Sequence, residues 1–217
     1  MRDLPFPKPN TGGSAADGAA PRFLSDQKRQ KILAAMLAVV GEQGYEHASV
    51  QAVLERAGLY RQAFYDHFSS KEDCFAAAYE EAASALEAEV RAAAGGGSWE
   101  EQLRAGLGRL LEVLDGDPAL GRALLVEVHP AGGRPLARRQ LALRRVAAFL
   151  ERAADDPRGV EPPALTPEAT AAGIHSVLHA RLASGRGGLR ELRGELMYVA
   201  VLPYRGAAAA AAAMAAG

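Results

Sequence analysis

A single cysteine, Cys74, stands in a chain of 217 residues, which excludes an intrachain disulfide framework and suits a reducing compartment. Aromatic residues make up only 6% of the sequence, and the charges nearly cancel at a formal net -1. Affinity for a polyanion therefore has to come from where cations are placed, with Lys28, Arg29, Lys31, Arg61 and Lys71 as the candidates, and not from a basic chain as a whole. No hydrophobic run reads as long enough to span a bilayer, and the opening Met1-Arg-Asp-Leu-Pro-Phe-Pro-Lys-Pro lacks the apolar core of a secretory signal, so a cytoplasmic protein with no membrane partner is expected. No segment alternates as a strand, which predicts an all-α fold. No Ser/His/Asp arrangement stands out, so no catalytic residues and no cofactor are expected. Neither Gly95-Gly-Gly97 nor Gly185-Arg-Gly-Gly188 carries the Lys-Ser/Thr ending of a phosphate-cradling loop, and both read as connections.

What is present is a 49% hydrophobic composition, enough to bury a core in a large helical domain with a smaller one beside it. The most informative stretch is Ser49 to Glu72. Ser49 is placed to cap a short helix whose Val50, Val53, Leu54 and Ala57 share one face, and Gly58 supplies the tight turn that ends it. Leu59, Phe64 and Phe68 then point to the same small core, leaving Tyr60, Arg61, Gln62, Ala63 and Tyr65 on an outer face. Ser69 or Ser70 starts a further helix, with Glu72 and Asp73 at its dipole-favoured end. Two short helices about a glycine turn, the second outward-facing, form the layout that enters a DNA major groove. Lys71 goes against the dipole pattern, and a DNA phosphate is an anion it could meet.

Ala57-Gly58-Leu59, Phe64-Tyr65-Asp66-His67-Phe68 and Ser70-Lys71-Glu72 resemble the TetR family of bacterial transcriptional regulators, over roughly residues 26 to 79. The preceding helix, capped at Ser25 or Asp26 with Ile32, Leu33, Met36, Val39 and Val40 as its stripe, fits the same pattern. The resemblance implies that Tyr65 and Lys71 meet phosphates, and that Arg61, Gln62 and Ala63, with Gln51 on the supporting helix, approach base edges. Arginine pairs bidentately with guanine, glutamine with adenine, and alanine touches a thymine methyl. His67 either orients a phosphate or packs beneath the helix. Ser49, Gln51, Tyr60, Arg61, Gln62, Ala63, Tyr65, His67 and Lys71 are thus the candidate DNA-binding residues. The chain departs from the family at Tyr60, where a small polar cap is usual, and at Gln62 and Ala63.

The expected organisation is a tail over residues 1–24 bearing Arg2, Lys8 and Arg22, a helix-turn-helix domain over 25–70, a larger helical domain over 71–205 and an alanine-rich tail over 206–217. In the larger domain, helices are expected from Lys71 towards Val90, from Trp99 to Leu114, from Ala119 to Val128, from Arg138 to Ala153, from Pro167 to Ser184 and from Leu189 to Leu202, with a loop from Asp155 to Pro163. The family resemblance implies that this region binds a small-molecule inducer and forms a homodimer through the last two long helices, the partner of the dimer being a double-stranded DNA operator, most simply a palindrome bound by a repressor. Leu103, Leu107, Leu110, Leu125, Val128 and Phe149, with His129, His175 and His179 as polar members, are the expected pocket. His175 and His179 lie one turn apart, but no Glu or Cys at ligand spacing accompanies them, and no metal site is expected. The competing reading is a helical scaffold or enzyme in which the motif is only structural.

Overall fold

The computed structural model describes residues 19–155 and 161–216, with no strand among them. Arg2, Lys8 and most of the expected tail lie outside the described residues, as does part of the loop expected from Asp155 to Pro163. The first helix, α1 (Ala19–Gln43), begins earlier than the expected cap at Ser25 or Asp26. Alanine propagates helix well and proline is tolerated in a first turn, so Ala19, Ala20 and Pro21 extend it backwards.

α2 (Val50–Ala57) is capped by the Ser49 hydroxyl, which accepts from the Ala52 N–H, and is closed by Gly58 at φ 66, a left-handed conformation that costs glycine little. α3 (Arg61–Tyr65) follows, and α4 (Lys71–Ala94) starts at Ser70, whose hydroxyl accepts from the Asp73 N–H. Ile32, Leu33, Met36, Val53 and Phe64 are fully buried where α1, α2 and α3 meet, and Phe68 lies beside them.

The remaining helices form the larger domain. α5 (Trp99–Gly116) opens with a reciprocal capping box between Ser98 and Glu101, and α6 (Pro118–Leu125) with Asp117 accepting from the Leu120 N–H. Where one helix was expected up to Val128, the chain instead makes α6 and a separate single turn, α7 (Val128–Ala131). α8 (Gly133–Glu151) begins before the expected Arg138, with Pro135 in its first turn, and runs into a 3-10 turn at Arg152–Asp155. α9 (Thr166–Ala183) and α10 (Arg193–Ala215) complete the bundle. α4 packs on α5, α8 on α9, and α5 on α10. Trp99 stacks on Phe149 with ring centroids 6.2 Å apart and donates its indole N–H to the Phe149 carbonyl at 3.2 Å.

Leu189–Ala215 is long and apolar enough by composition to cross a membrane, contrary to the sequence expectation. It is not one continuous helix over that length. It breaks at Gly206 (φ 77), Pro203 lies inside it, and Met197, Ala200, Val201 and Tyr204 are fully buried. Beyond the break the alanine-rich segment is helical and folds back: Ala210 and Ala213 are buried, Arg104 donates to the Ala213 carbonyl at 3.0 Å, and Met214 lies against Gly194.

Candidate functional site

Two features of the fold concentrate chemistry, and a polar bridge links the smaller domain to the larger. The first feature is the outer face of α3. Tyr60 is 90% exposed and caps α3 without a side-chain hydrogen bond, which is the consequence of its departure from a small polar cap. Arg61 and Gln62 are exposed on the first turn, Tyr65 is exposed one turn on, and Ala63 is half-buried. Local contacts pre-order these groups. The Arg61 guanidinium lies 5.4 Å from the Tyr65 ring and donates to its hydroxyl at 3.3 Å, and Gln62 Nε2 donates to Asp66 at 2.8 Å. Ser49 and Gln51 stand exposed on α2, with Gln51 donating to Glu55 at 2.9 Å. Phe64, facing inwards, anchors the helix against Phe68.

Lys71 and His67 sit differently from this exposed set. Lys71 is half-buried; its Nζ donates to the Tyr45 carbonyl at 3.0 Å and lies 4.4 Å from the centre of the Tyr45 ring. An ammonium has three donors, so this leaves capacity for a phosphate while tying the start of α4 to the α1–α2 loop. His67 is half-buried beside Phe68, 6.2 Å between ring centroids. Of the other cations, Lys28 and Lys31 are exposed, whereas Arg29 is paired with Glu81 and Arg56 with Glu42.

The bridge between domains is centred on Glu127, which is only 7% exposed. Its carboxylate accepts from the Tyr45 backbone N–H at 2.8 Å and from Arg122 Nη2 at 3.1 Å. Arg122 also donates to the carbonyls of Gly41 at 3.0 Å and Leu182 at 3.1 Å. One partly buried ion pair thereby joins the end of α1, the α1–α2 loop, α6 and the end of α9. α1 and α6 approach so closely that a Cβ on Gly41 would stand 2.0 Å from the Ala119 carbonyl oxygen.

The second feature is a cleft of about 450 Å³ between α7, α8 and α9, lined by His129, Arg139, Ala172, His175, Ser176 and His179. The His129 and His179 rings are 5.5 Å apart, and those of His175 and His179 6.4 Å. Arg139 Nε donates to His175 Nε2 at 3.0 Å, which requires that nitrogen to be unprotonated. Burial, and then the charge of Arg139, holds His175 down to about 4 and lowers His129 as well.

The apolar members of the expected pocket lie apart from this cleft. Leu103, Leu107, Leu125 and Val128 are buried in the core, and Leu110 and Phe149 are packed against it. No group of histidines, cysteines and carboxylates among the described residues is arranged to hold a metal ion. The Gly185–Gly188 loop is structural, since Asp115 accepts from the backbone N–H groups of Gly188 at 3.1 Å and Leu189 at 3.0 Å. Cys74 is fully buried, and burial followed by the charge of Asp73 pushes its thiol up, away from redox reactivity. Sequence reasoning missed Glu127, Arg122, Gly41 and Arg139.

Comparison with known proteins places this geometry. Residues 32–78, which hold the second half of α1, all of α2 and α3 and the start of α4, match the family model of bacterial regulatory proteins of the tetR family. No curated protein sequence matches the chain. Among solved structures, the fatty acid degradation regulator FadR from Bacillus halodurans is similar at TM-score 0.68 and 19% identity, covering 81% of this chain and 93% of that one. FadR from Bacillus subtilis, in complex with stearoyl-CoA, gives TM-score 0.64 at 18% identity, over 82% of this chain and 98% of that one. SmeT, the repressor of the Stenotrophomonas maltophilia multidrug efflux pump SmeDEF, gives 0.64 at 23%, over 81% and 89%; the SmeT–triclosan complex gives 0.62 at 24%, over 82% and 91%. At these identities the likeness is one of fold, while the family match rests on the helix-turn-helix segment itself. The helix-turn-helix segment thus matches the tetR family of bacterial regulatory proteins, and the chain as a whole shares the fold of these transcription regulators.

Proposed function

We propose that the protein is a ligand-responsive repressor that binds a palindromic operator as a homodimer. The observation that carries this reading is the Glu127–Arg122 bridge, a partly buried ion pair that ties the domain bearing the exposed α3 face to the domain bearing the histidine cleft. In this reading Arg61 and Gln62, with Gln51 and Ala63, read bases, and Tyr60, Tyr65, Ser49, His67 and the remaining donors of Lys71 position the phosphates. Small molecules in the similar FadR and SmeT structures support a ligand-sensing role for the larger domain.

The dimer surface is formed by α9 and α10. Val177, Val199 and Leu202 are exposed there beside Ala169, Gly173 and Ala180, small residues that let a partner helix approach closely. A ligand releases DNA only by favouring a conformation whose two recognition helices no longer match successive major grooves, and by reciprocity DNA weakens the ligand by the same factor. The test is to select operator fragments, then titrate DNA in the presence of every small molecule found by a thermal-shift screen. Hits that lower operator affinity by about 5- to 150-fold support the reading. Hits that bind tightly and leave it unchanged contradict it.

A further inference from the structure

Arg139 is a half-buried cation of the larger domain that is held by an imidazole rather than by a carboxylate. On the same helix, Arg138 pairs with Glu80 and Glu87, and Arg145 with Glu87. Arg139 is half-buried and, among the described residues, meets no carboxylate; its partner is the His175 ring. A partly desolvated guanidinium is ordinarily matched by an anion. Around it the cleft presents His129 from α7 and His175 and His179 from α9, with Ser176 as a hydroxyl donor and no acidic side chain in the lining. We propose that this cleft recognises the oxyanion, a carboxylate or a phosphate, of an acidic effector.

The chemistry is directional. Arg139 supplies a planar fork of donors, the geometry that grips carboxylate and phosphate through paired hydrogen bonds. It is spent at present on a neutral imidazole, a weaker partner than an anion. An oxyanion seated between Arg139 and the imidazoles also offsets the mutual repulsion that Arg139, His129 and His179 exert on His175. Proton uptake by His175 and His129 therefore accompanies binding, and affinity for acetate rises as pH falls from 8 to 6. Tyr79 on α4, which also feels Arg139, is pushed up to about 12 and stays neutral throughout that range. The same cluster is a poor cation site, because the fixed charge of Arg139 lies against His175.

This inference rests on the reading of the larger domain as ligand-sensing, but its test does not require DNA. The full-length protein, labelled at histidine, is titrated with inorganic phosphate and separately with acetate, against sodium chloride of matched ionic strength. The expected result is saturable movement of the His129, His175 and His179 ring resonances with one or both oxyanions, and a His175 titration midpoint raised by the bound anion. The stronger of the two identifies the effector's head group. Arg139→Gln is expected to weaken binding at least tenfold with unchanged circular dichroism, and Arg139→Lys to keep part of it. Movement no greater than with chloride, equal binding by Arg139→Gln, or saturable Zn²⁺ binding by the three histidines in place of oxyanion binding would overturn the proposal. Oxyanion binding without any change in operator affinity leaves the site standing and counts against ligand-responsive repression. A neutral compound that releases DNA while phosphate and acetate fail to bind does the reverse.

Discussion

Arg61 is the residue on which sequence reading most depends. Its guanidinium is exposed at the first turn of α3 and pre-ordered against Tyr65 rather than consumed by an ion pair, so it is free to exchange that contact for a guanine edge. Arg61→Ala is expected to relax preference at one base pair per half-site, at a cost of about 1–3 kcal/mol, read by binding to single-base operator variants. Lys71 has a structural contact beside its proposed role at a phosphate. Lys71→Ala is expected to weaken binding to all sequences and flatten the salt dependence, and also to lower the melting temperature, because the Tyr45 carbonyl and ring lose their cation at a cost of about 1 kcal/mol. His175 gives a pH signature. Folding holds it at about 4 against an ordinary value of 6.5, so the unfolded chain binds more protons between those values and stability rises with pH across that window. Chemical denaturation from pH 4.5 to 6.5 should show the rise, and His175→Gln should reduce its slope by up to about 1.4 kcal/mol per pH unit. An unchanged slope would contradict the neutral, Arg139-bound ring.

Contacts between elements explain why some features were legible in the sequence and others were not. The Ser49 cap, the Gly58 turn and the inward Phe64 and Phe68 are local events whose spacing is written in neighbouring residues, and the structure realises them. The start of α8 was missed because Gly133, Arg134 and Pro135 look like a loop by composition, although a proline in a first helical turn sacrifices no hydrogen bond. Glu127 and Arg122 could not be found by spacing, since their partners Tyr45 and Gly41 lie 82 and 81 residues away. The histidines one turn apart were visible on α9, but the arginine that binds His175 comes from α8, and leucines assigned to the same pocket fill the core instead. The bridge is expected to be costly to break. Glu127→Ala leaves Arg122 and the Tyr45 N–H without their acceptor, for a loss of roughly 3 kcal/mol and faster amide exchange at Tyr45, whereas Glu127→Gln keeps an acceptor for that N–H and loses less. Gly41→Ala forces α1 away from α6, because the clash is with backbone that cannot rotate aside, and should lower stability by about 1–3 kcal/mol or more in thermal melts.

At the scale of the whole molecule, one recognition helix of five residues offers few contacts, and the net charge of -1 provides no general attraction to DNA. Tight specific binding then calls for two copies, with half-sites spaced to match the dimer, about 34–36 Å or a multiple apart. Val199, 47% exposed on α10, is the cleaner place to break the proposed dimer; Leu182, 7% exposed against Gly121, would disturb the core of one protomer as well. Val199→Arg is expected to sediment as a folded monomer and to lose specific binding while retaining weak, salt-sensitive binding to any duplex. The most direct test of the account is selection of bound fragments from a random DNA pool by the purified full-length protein, repeated with Arg61→Ala. The account predicts enrichment of a palindrome whose half-sites each lose preference at one base pair in the variant. Failure to enrich any sequence, or an identical motif bound with identical affinity by wild type and Arg61→Ala, would contradict it.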